Sequence, residues 1–267
     1  MDVQLVILCV LTFVIHLIGT LAYAARIAGV RTRRIAVSFA LFNILVLVSR
    51  TSNSFQGPFL AKRIEENISE DIVHGLLADF RWLLASATVA TLVGAALIPT
   101  FQRVFSRAVL HFQAHRSLPR LLLRVLFKGG LAQLKDVARV PATANLSQMR
   151  LGRGISPGVI ALNVVAVALW TTGVFASLYA GYLNPDLRVT SSQLSSVING
   201  AATIMMFVLV DPHMSAMTDD VIEGKTSDAS FRRAIVWLVA GRLAGTILAQ
   251  ALFVPAALVI AFVASRI

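Results

Sequence analysis

Six long, almost uncharged runs govern what this chain can fold into: 3–25, 35–60, 82–102, 157–183, 194–212 and 234–264. The hydrocarbon core of a bilayer is about 30 Å thick, and an α-helix needs roughly 20 apolar residues to cross it. Each run is of about that length or longer. Barrel strands would be about 10 residues long and would alternate apolar with polar positions. These runs are instead continuous in Leu, Val, Ala and Ile. The expectation is an all-α, polytopic membrane helix bundle of six transmembrane helices, with 1–267 as a single membrane domain. Charge content agrees, since only 14% of residues are charged, against about 25% in an ordinary soluble domain. Cys9 is the sole cysteine, which excludes an internal disulfide framework and a cysteine-built metal site. Asp2 stands where a secretory signal would carry basic residues, so no cleavable signal is expected.

Basic residues orient such a bundle, because Lys and Arg accumulate in cytoplasmic segments. With the N-terminus outside, 26–34, 103–156 and 211–233 are cytoplasmic and carry 4, 10 and 3 Lys or Arg. The outer segments 62–81, 184–193 and the C-terminal end carry 3, 1 and 1. Both termini are therefore expected outside. Segment 103–156 holds a single acid, Asp136, and spaces Arg116, Arg120, Arg124 and Lys128 by four. That pattern fits an in-plane helix on anionic membrane lipids, or a connector that merely obeys the charge rule. It contains no recognisable nucleic-acid reader motif, so no nucleic-acid partner is expected.

The chain also resembles itself. The run 82-WLLASATVATLVGAALI-98 matches 237-WLVAGRLAGTILAQALF-253 without gaps at Trp, Leu, Ala and Thr positions, each closed by a proline, Pro99 and Pro255. The pairs 20-TLAYAARI-27 with 177-SLYAGYLN-184, and 46-VLVSR-50 with 208-VLVDP-212, keep nearly the same offset. Two halves of three helices, 1–102 and 157–267, would insert in opposite orientation, and inverted repeats recur in transporters.

Charges inside these runs narrow the function. Arg50 and Arg242 fall within spans, and Arg26 ends the first. An arginine at a span centre costs at least about 2.5–3.5 kcal/mol, so it faces a partner or a polar cavity. One reading is structural, with Arg242 paired to Asp211 and Arg50 snorkelling outward. The other is a path for an anion. The word 42-FNILVLVSRTSNSFQGPF-59 favours the second, since its polar residues and Pro58 suit local unwinding beside a cavity. Arg50, Ser52, Asn53 and Gln56 would then offer donors to phosphate or sugar oxygens. The second polar knot is 211-DPHMSAMTDDVIEGK-225, in which Asp211-Pro212 is expected to end a helix. Asp219, Asp220 and Glu223 there suit a proton relay, oxygen ligation of Mg²⁺ or a solvated helix start. His213 is as readily an interfacial hydrogen-bonding group as a titrating one, and His16 reads as a satisfied bundle histidine. No Walker A loop, G-x-S-x-G or H-E-x-x-H is present, so neither ATP hydrolysis nor those hydrolase chemistries are expected.

The segments 20-TLAYAARIAGVRT-32, 42-FNILVLVSRTSNSFQGPF-59, 211-DPHMSAMTDDVIEGK-225 and 237-WLVAGRLAGTILAQALFVPAA-257 resemble those of the Amj-type lipid II flippases of bacteria, which serve as an alternate to MurJ. The resemblance implies a transporter, not an enzyme, working in the cell membrane without a cofactor or metal. Its substrate would be lipid II, a polyprenyl diphosphate bearing a disaccharide and a peptide, moved from the cytoplasmic to the outer leaflet. On the residues themselves, Arg26 and Arg242 would receive the diphosphate from inside and Arg50 would hold it in an outward-open state, with Asp211 counted among the substrate-binding residues. Two rivals stand beside this. One is a membrane enzyme using Asp219, Asp220 and Glu223 on Mg²⁺ against polyprenyl diphosphates. The other is a small-ion carrier coupled to protons through Asp211 and His213.

Overall fold

The computed structural model describes residues 2–69, 75–115, 139 and 154–267, and among these all regular structure is helical. The helices are α1 (Val3–Thr32), α2 (Ile35–Ser69), α3 (Leu76–His115) and α4 (Pro157–Leu183). A 3-10 turn at Pro185–Leu187 leads into α5 (Arg188–Gln193) and α6 (Ser195–Ile204). A π-helical segment, Met205–Val210, joins α6 to α7 (Asp211–Ile222), and α8 (Asp228–Ala264) closes the chain. Six spans are long and apolar enough to cross a membrane, the fifth being the composite Pro185–Ile222. The basic run Arg116, Arg120, Arg124 and Lys128 lies outside the described residues.

The helix ends are set by local chemistry. The Asp2 carboxylate accepts from the Leu5 N–H at 2.8 Å and opens α1. Ser156, followed by Pro157, opens α4, and the Ser227 hydroxyl accepts from Ser230 N–H to open α8. Such caps satisfy amides that have no intrahelical partner. Several helices overrun the predicted spans, α3 most of all. A hydropathy window sees only the apolar stretch, whereas backbone hydrogen bonding carries on through polar flanks.

Close approach of small residues fixes the packing. α1 lies along α3, where Gly94 sits so near Thr20 that an added Cβ would come within 2.7 Å of it. α4 lies along α8 over Gly241 and Gly245, a G-x-x-x-G pair whose added Cβ atoms would meet Asn163 Nδ2 at 2.9 Å and Val164 O at 2.7 Å. Small-xxx-small seams of this kind let membrane helices approach backbone to backbone. α2 packs chiefly on α1, and the fifth span chiefly on α4.

Two apolar cores divide the bundle along its length. One gathers Leu21, Phe42, Phe105, Met214, Phe231 and Leu238 toward the end where α1 meets α2 and α7 meets α8. This is the basic end of the bundle, bearing Arg31, Arg33, Arg34, Arg232 and Arg233. The other gathers Leu8, Leu60, Phe80, Phe175 and Phe253 toward the opposite end, with Phe80 packed edge-on or tilted against Phe175, Tyr179 and Phe253 at 5.3–5.9 Å. Thr12, His16, Gln56 and Arg242 fall in sequence between the residues of these two cores.

Two expectations about helix breaks are corrected. Residues 51–58 are not unwound: α2 is continuous through them and holds Pro58 in its interior. Thr51, Ser52 and Ser54 turn their hydroxyls back onto the carbonyls of Leu47, Val48 and Arg50 at 2.9–3.0 Å. Their polar groups are thereby satisfied within the helix, and the proline removes a single ladder bond. Nor does Asp211-Pro212 end a helix. Pro212 falls in the first turn of α7, where no N–H is needed, and the π-helical turns before it absorb the change of register.

Candidate functional site

One face of α1 carries a row of buried and half-buried polar groups. His16, Thr20, Tyr23 and Arg26 recur at spacings of four, three and three, so they share a stripe about 15 Å long at 1.5 Å per residue. Arg26 is 13% exposed in its side chain, and its Nη2 lies 3.4 Å from Asp211 Oδ1 at the start of α7. Its guanidinium also stands over the Phe39 ring at 5.3 Å, a cation–π contact that stabilises the charge further. Higher on the stripe, Arg242 Nε donates to Thr20 Oγ1 at 3.2 Å. Gly19 borders the same guanidinium so closely that a side chain there would overlap it. His16 is half-buried, and its Nδ1, shielded from solvent, has no hydrogen-bond partner among the described residues. The expectation of a satisfied histidine is not met.

The placement of Arg242 follows from the seam around it. In 241-GRLAG-245 the two glycines press against α4, while Asn163 Nδ2 donates to the Leu238 carbonyl at 2.9 Å. With that face of α8 committed to α4, Arg242, next to the first glycine, is turned toward Thr20 and Gly19 of α1. The expected pair Arg242–Asp211 is therefore not formed. Asp211 instead meets Arg26, and α8 begins at Asp228, which sets Arg242 14 residues into the helix, about 21 Å along it.

The donors of α2 do not converge. Ser52 and Gln56 are buried, and Gln56 Nε2 donates to Thr12 Oγ1 on α1. Arg50 and Asn53 lie on the opposite, exposed side of α2. The structure thus brings Arg26, Asp211 and Arg242 onto one stripe with Tyr23 and His16, and leaves Arg50 away from it.

The acidic knot ends a helix and does not start one. Glu223 caps α7, and the carbonyls of Asp219 and Asp220 accept from Glu223 N and Lys225 N at 2.9 and 2.8 Å. The Glu223 carboxylate meets Lys225 Nζ at 2.5 Å, and Asp219 is exposed. Among the described residues no three acidic, histidine or cysteine side chains converge on one point. His213 is exposed, its Nδ1 2.8 Å from the Leu209 carbonyl.

Sequence reasoning missed two polar junctions. At the end opposite the basic one, Arg63 binds Asp79 at 2.7 Å, Asp2 at 2.8 Å and Gln4 at 3.0 Å, tying α1, α2 and α3. Arg81 contacts the carbonyl and side chain of Gln250 and stands 5.8 Å over Phe253, tying α3 to α8. Both arginines flank apolar runs, where a charge count treats them only as orientation markers.

The family model described as "Amj: Alternate to MurJ" matches residues 11–264 of the chain. The chain belongs to the Amj family. A curated relative, "Lipid II flippase Amj" of Bacillus subtilis (strain 168), is 36% identical over 259 residues, covering 97% of this chain and 95% of the relative. No solved structure matches significantly. In this Amj-family chain the match takes in the α1 stripe, the α2 word and the whole of the fifth span and the G-x-x-x-G seam.

Proposed function

We propose that this protein is a lipid II flippase, carrying the polyprenyl-diphosphate-linked precursor from the cytoplasmic to the outer leaflet of the cell membrane, with both termini outside. Membership in the Amj family and the near full-length relative support the substrate. The observation that carries the mechanism is the Arg26–Asp211 pair on the same α1 stripe as Arg242. Of these two half-buried arginines, only Arg26 has a carboxylate beside it. An incoming diphosphate can take the place of Asp211 on Arg26, since guanidinium binds phosphate through a planar, two-pronged donor set. Asp211 keeps Arg26 compensated between cycles, which a buried cation requires. From Arg26 the stripe leads past Tyr23 to Arg242 and Thr20. Arg50 and Asn53, on the exposed side of α2, form the outward station in this reading, and an exposed arginine in an apolar band demands some such polar partner. The polyprenyl tail stays in lipid throughout.

The arrangement of two three-helix halves, 1–102 and 157–267, supports alternating access by an inverted repeat. In each half the first helix packs along the third most extensively and along the second next, and the two third helices touch each other.

The test is outer-leaflet lipid II in cells whose resident flippase has been shut off, read by a head-group-cutting toxin that cannot enter. Restoration of cleavage by this protein, lost in Arg242→Ala at equal membrane abundance, supports the reading. No restoration despite normal insertion refutes it.

A further inference from the structure

A cavity of about 250 Å³ opens at the basic end, between the last turn of α1, the last turn of α7 and the first turn of α8. Its rim holds Arg31, Arg33 and Arg232, with Asp228 beside them. Between these charges the lining is completed by the apolar side chains of Ile27, Val30, Val221, Ile222 and Phe231. Arg31 feels the positive charge of Arg232, and of Arg103 on α3, as well as the Asp228 carboxylate. Among the described residues none of the three rim guanidiniums is held in an ion pair. Three like charges against one carboxylate leave the rim positive among the described residues.

The backbone adds a second sign. Arg33 adopts φ 53 at the end of α1, where its N–H and that of Arg34 close on Val30 O and Gly29 O. That left-handed position is ordinarily filled by glycine or asparagine, and it costs other residues roughly 1 kcal/mol. Here it brings a third arginine to the rim, immediately past the helix that bears Arg26.

We propose that this cavity is a binding site for a lipid-borne diphosphate. Its guanidiniums match two or more negative charges, and the apolar side chains among them suit the first carbons of an attached hydrocarbon chain. At about 30 Å³ per water, it has room for about eight waters, enough for a diphosphate but far short of a disaccharide carrying a peptide. The sugar and peptide stay in solution while the diphosphate waits below Arg26. The identity of the lipid rests on the flippase reading, and the diphosphate chemistry rests on the cavity itself.

The experiment uses the purified full chain in phosphatidylcholine nanodiscs. Farnesyl diphosphate, phosphatidylglycerol and inorganic pyrophosphate are titrated in separate arms, and Arg31→Gln, Arg232→Gln and Arg107→Gln variants are compared. Arg107 is exposed on the same end of α3 and does not line the cavity. Expected is farnesyl diphosphate binding that falls about tenfold in each rim variant, the order of one charge-assisted hydrogen bond, and holds in Arg107→Gln. Pyrophosphate should bind more weakly and phosphatidylglycerol should not compete. Unchanged binding in both rim variants, an equal fall in Arg107→Gln, or equal competition by phosphatidylglycerol overturns the proposal. Each variant is also run in the toxin assay. Restoration by the wild type alongside unchanged farnesyl diphosphate binding in the rim variants removes the cavity and keeps the flippase. Tight rim-dependent binding without restoration keeps the cavity and removes the flippase.

Discussion

Arg26 and Asp211 form the contact most open to direct measurement. Asp211→Ala strands a guanidinium that is 13% exposed, while the carboxylate it loses is 41% exposed. The cost should therefore lie between those of surface and buried pairs, at about 1–2 kcal/mol. Thermal unfolding in detergent measures it, and replacing both residues by Leu should recover the loss. If transport stays absent in that stable double variant, the charges serve the substrate; if transport returns, they were structural. Asp2 offers a pH test. Its carboxyl is held below the usual range, first by the Leu5 N–H it caps and then by Arg63. A depressed folded value means the contribution is complete above the unfolded value of about 3.9 and is lost as pH falls through the folded one. Acid destabilisation below about pH 4 should be shallower in Asp2→Asn, which keeps the cap and loses the ion pair. An identical acid profile would dismiss Asp2 as a contributor.

Among the helices, the seam between α4 and α8 should be intolerant where α2 is tolerant. Gly245→Leu drives a side chain into the Val164 carbonyl and Val167, and overpacking of this sort costs about 1–3 kcal/mol. It also displaces Arg242, so transport should fall further than stability does. Gly57→Ala meets nothing within 4 Å and removes a helical glycine, so it should be neutral or stabilising by about 0.5–1 kcal/mol. Equal melting shifts for the two variants would contradict the packing described. The same elements show what a linear reading misses. The six spans were legible because lipid demands runs of a definite length. The break at 51–58 was misjudged because Ser and Thr hydroxyls return to their own helix, which composition does not reveal. The polar word of α2 also divides between two faces, and its two sides have different neighbours.

For the molecule as a whole, the orientation is the property that every transport step presumes. In a Cys9→Ala background, Ser265→Cys should react with an impermeant maleimide added to intact cells, and Gly224→Cys should react only after permeabilisation. The opposite pattern would invert the path and place the Arg31–Arg232 cavity on the outer face. Charge counting alone leads to this orientation, since 17 of the basic residues fall on one side of the six runs. The bundle class, the number of spans and the resemblance to the Amj family follow equally from the order of residues, because hydrophobic length and charge bias are properties of the chain in one dimension. Which arginine meets which acid is not of that kind. Arg26, Asp211 and Arg242 are separated by up to 216 positions. The place of Arg242 against α1 was decided by where Gly241 and Gly245 let two backbones touch and by which face of α8 that contact left free, and the partner of Arg26 by the packing of α7 beside α1.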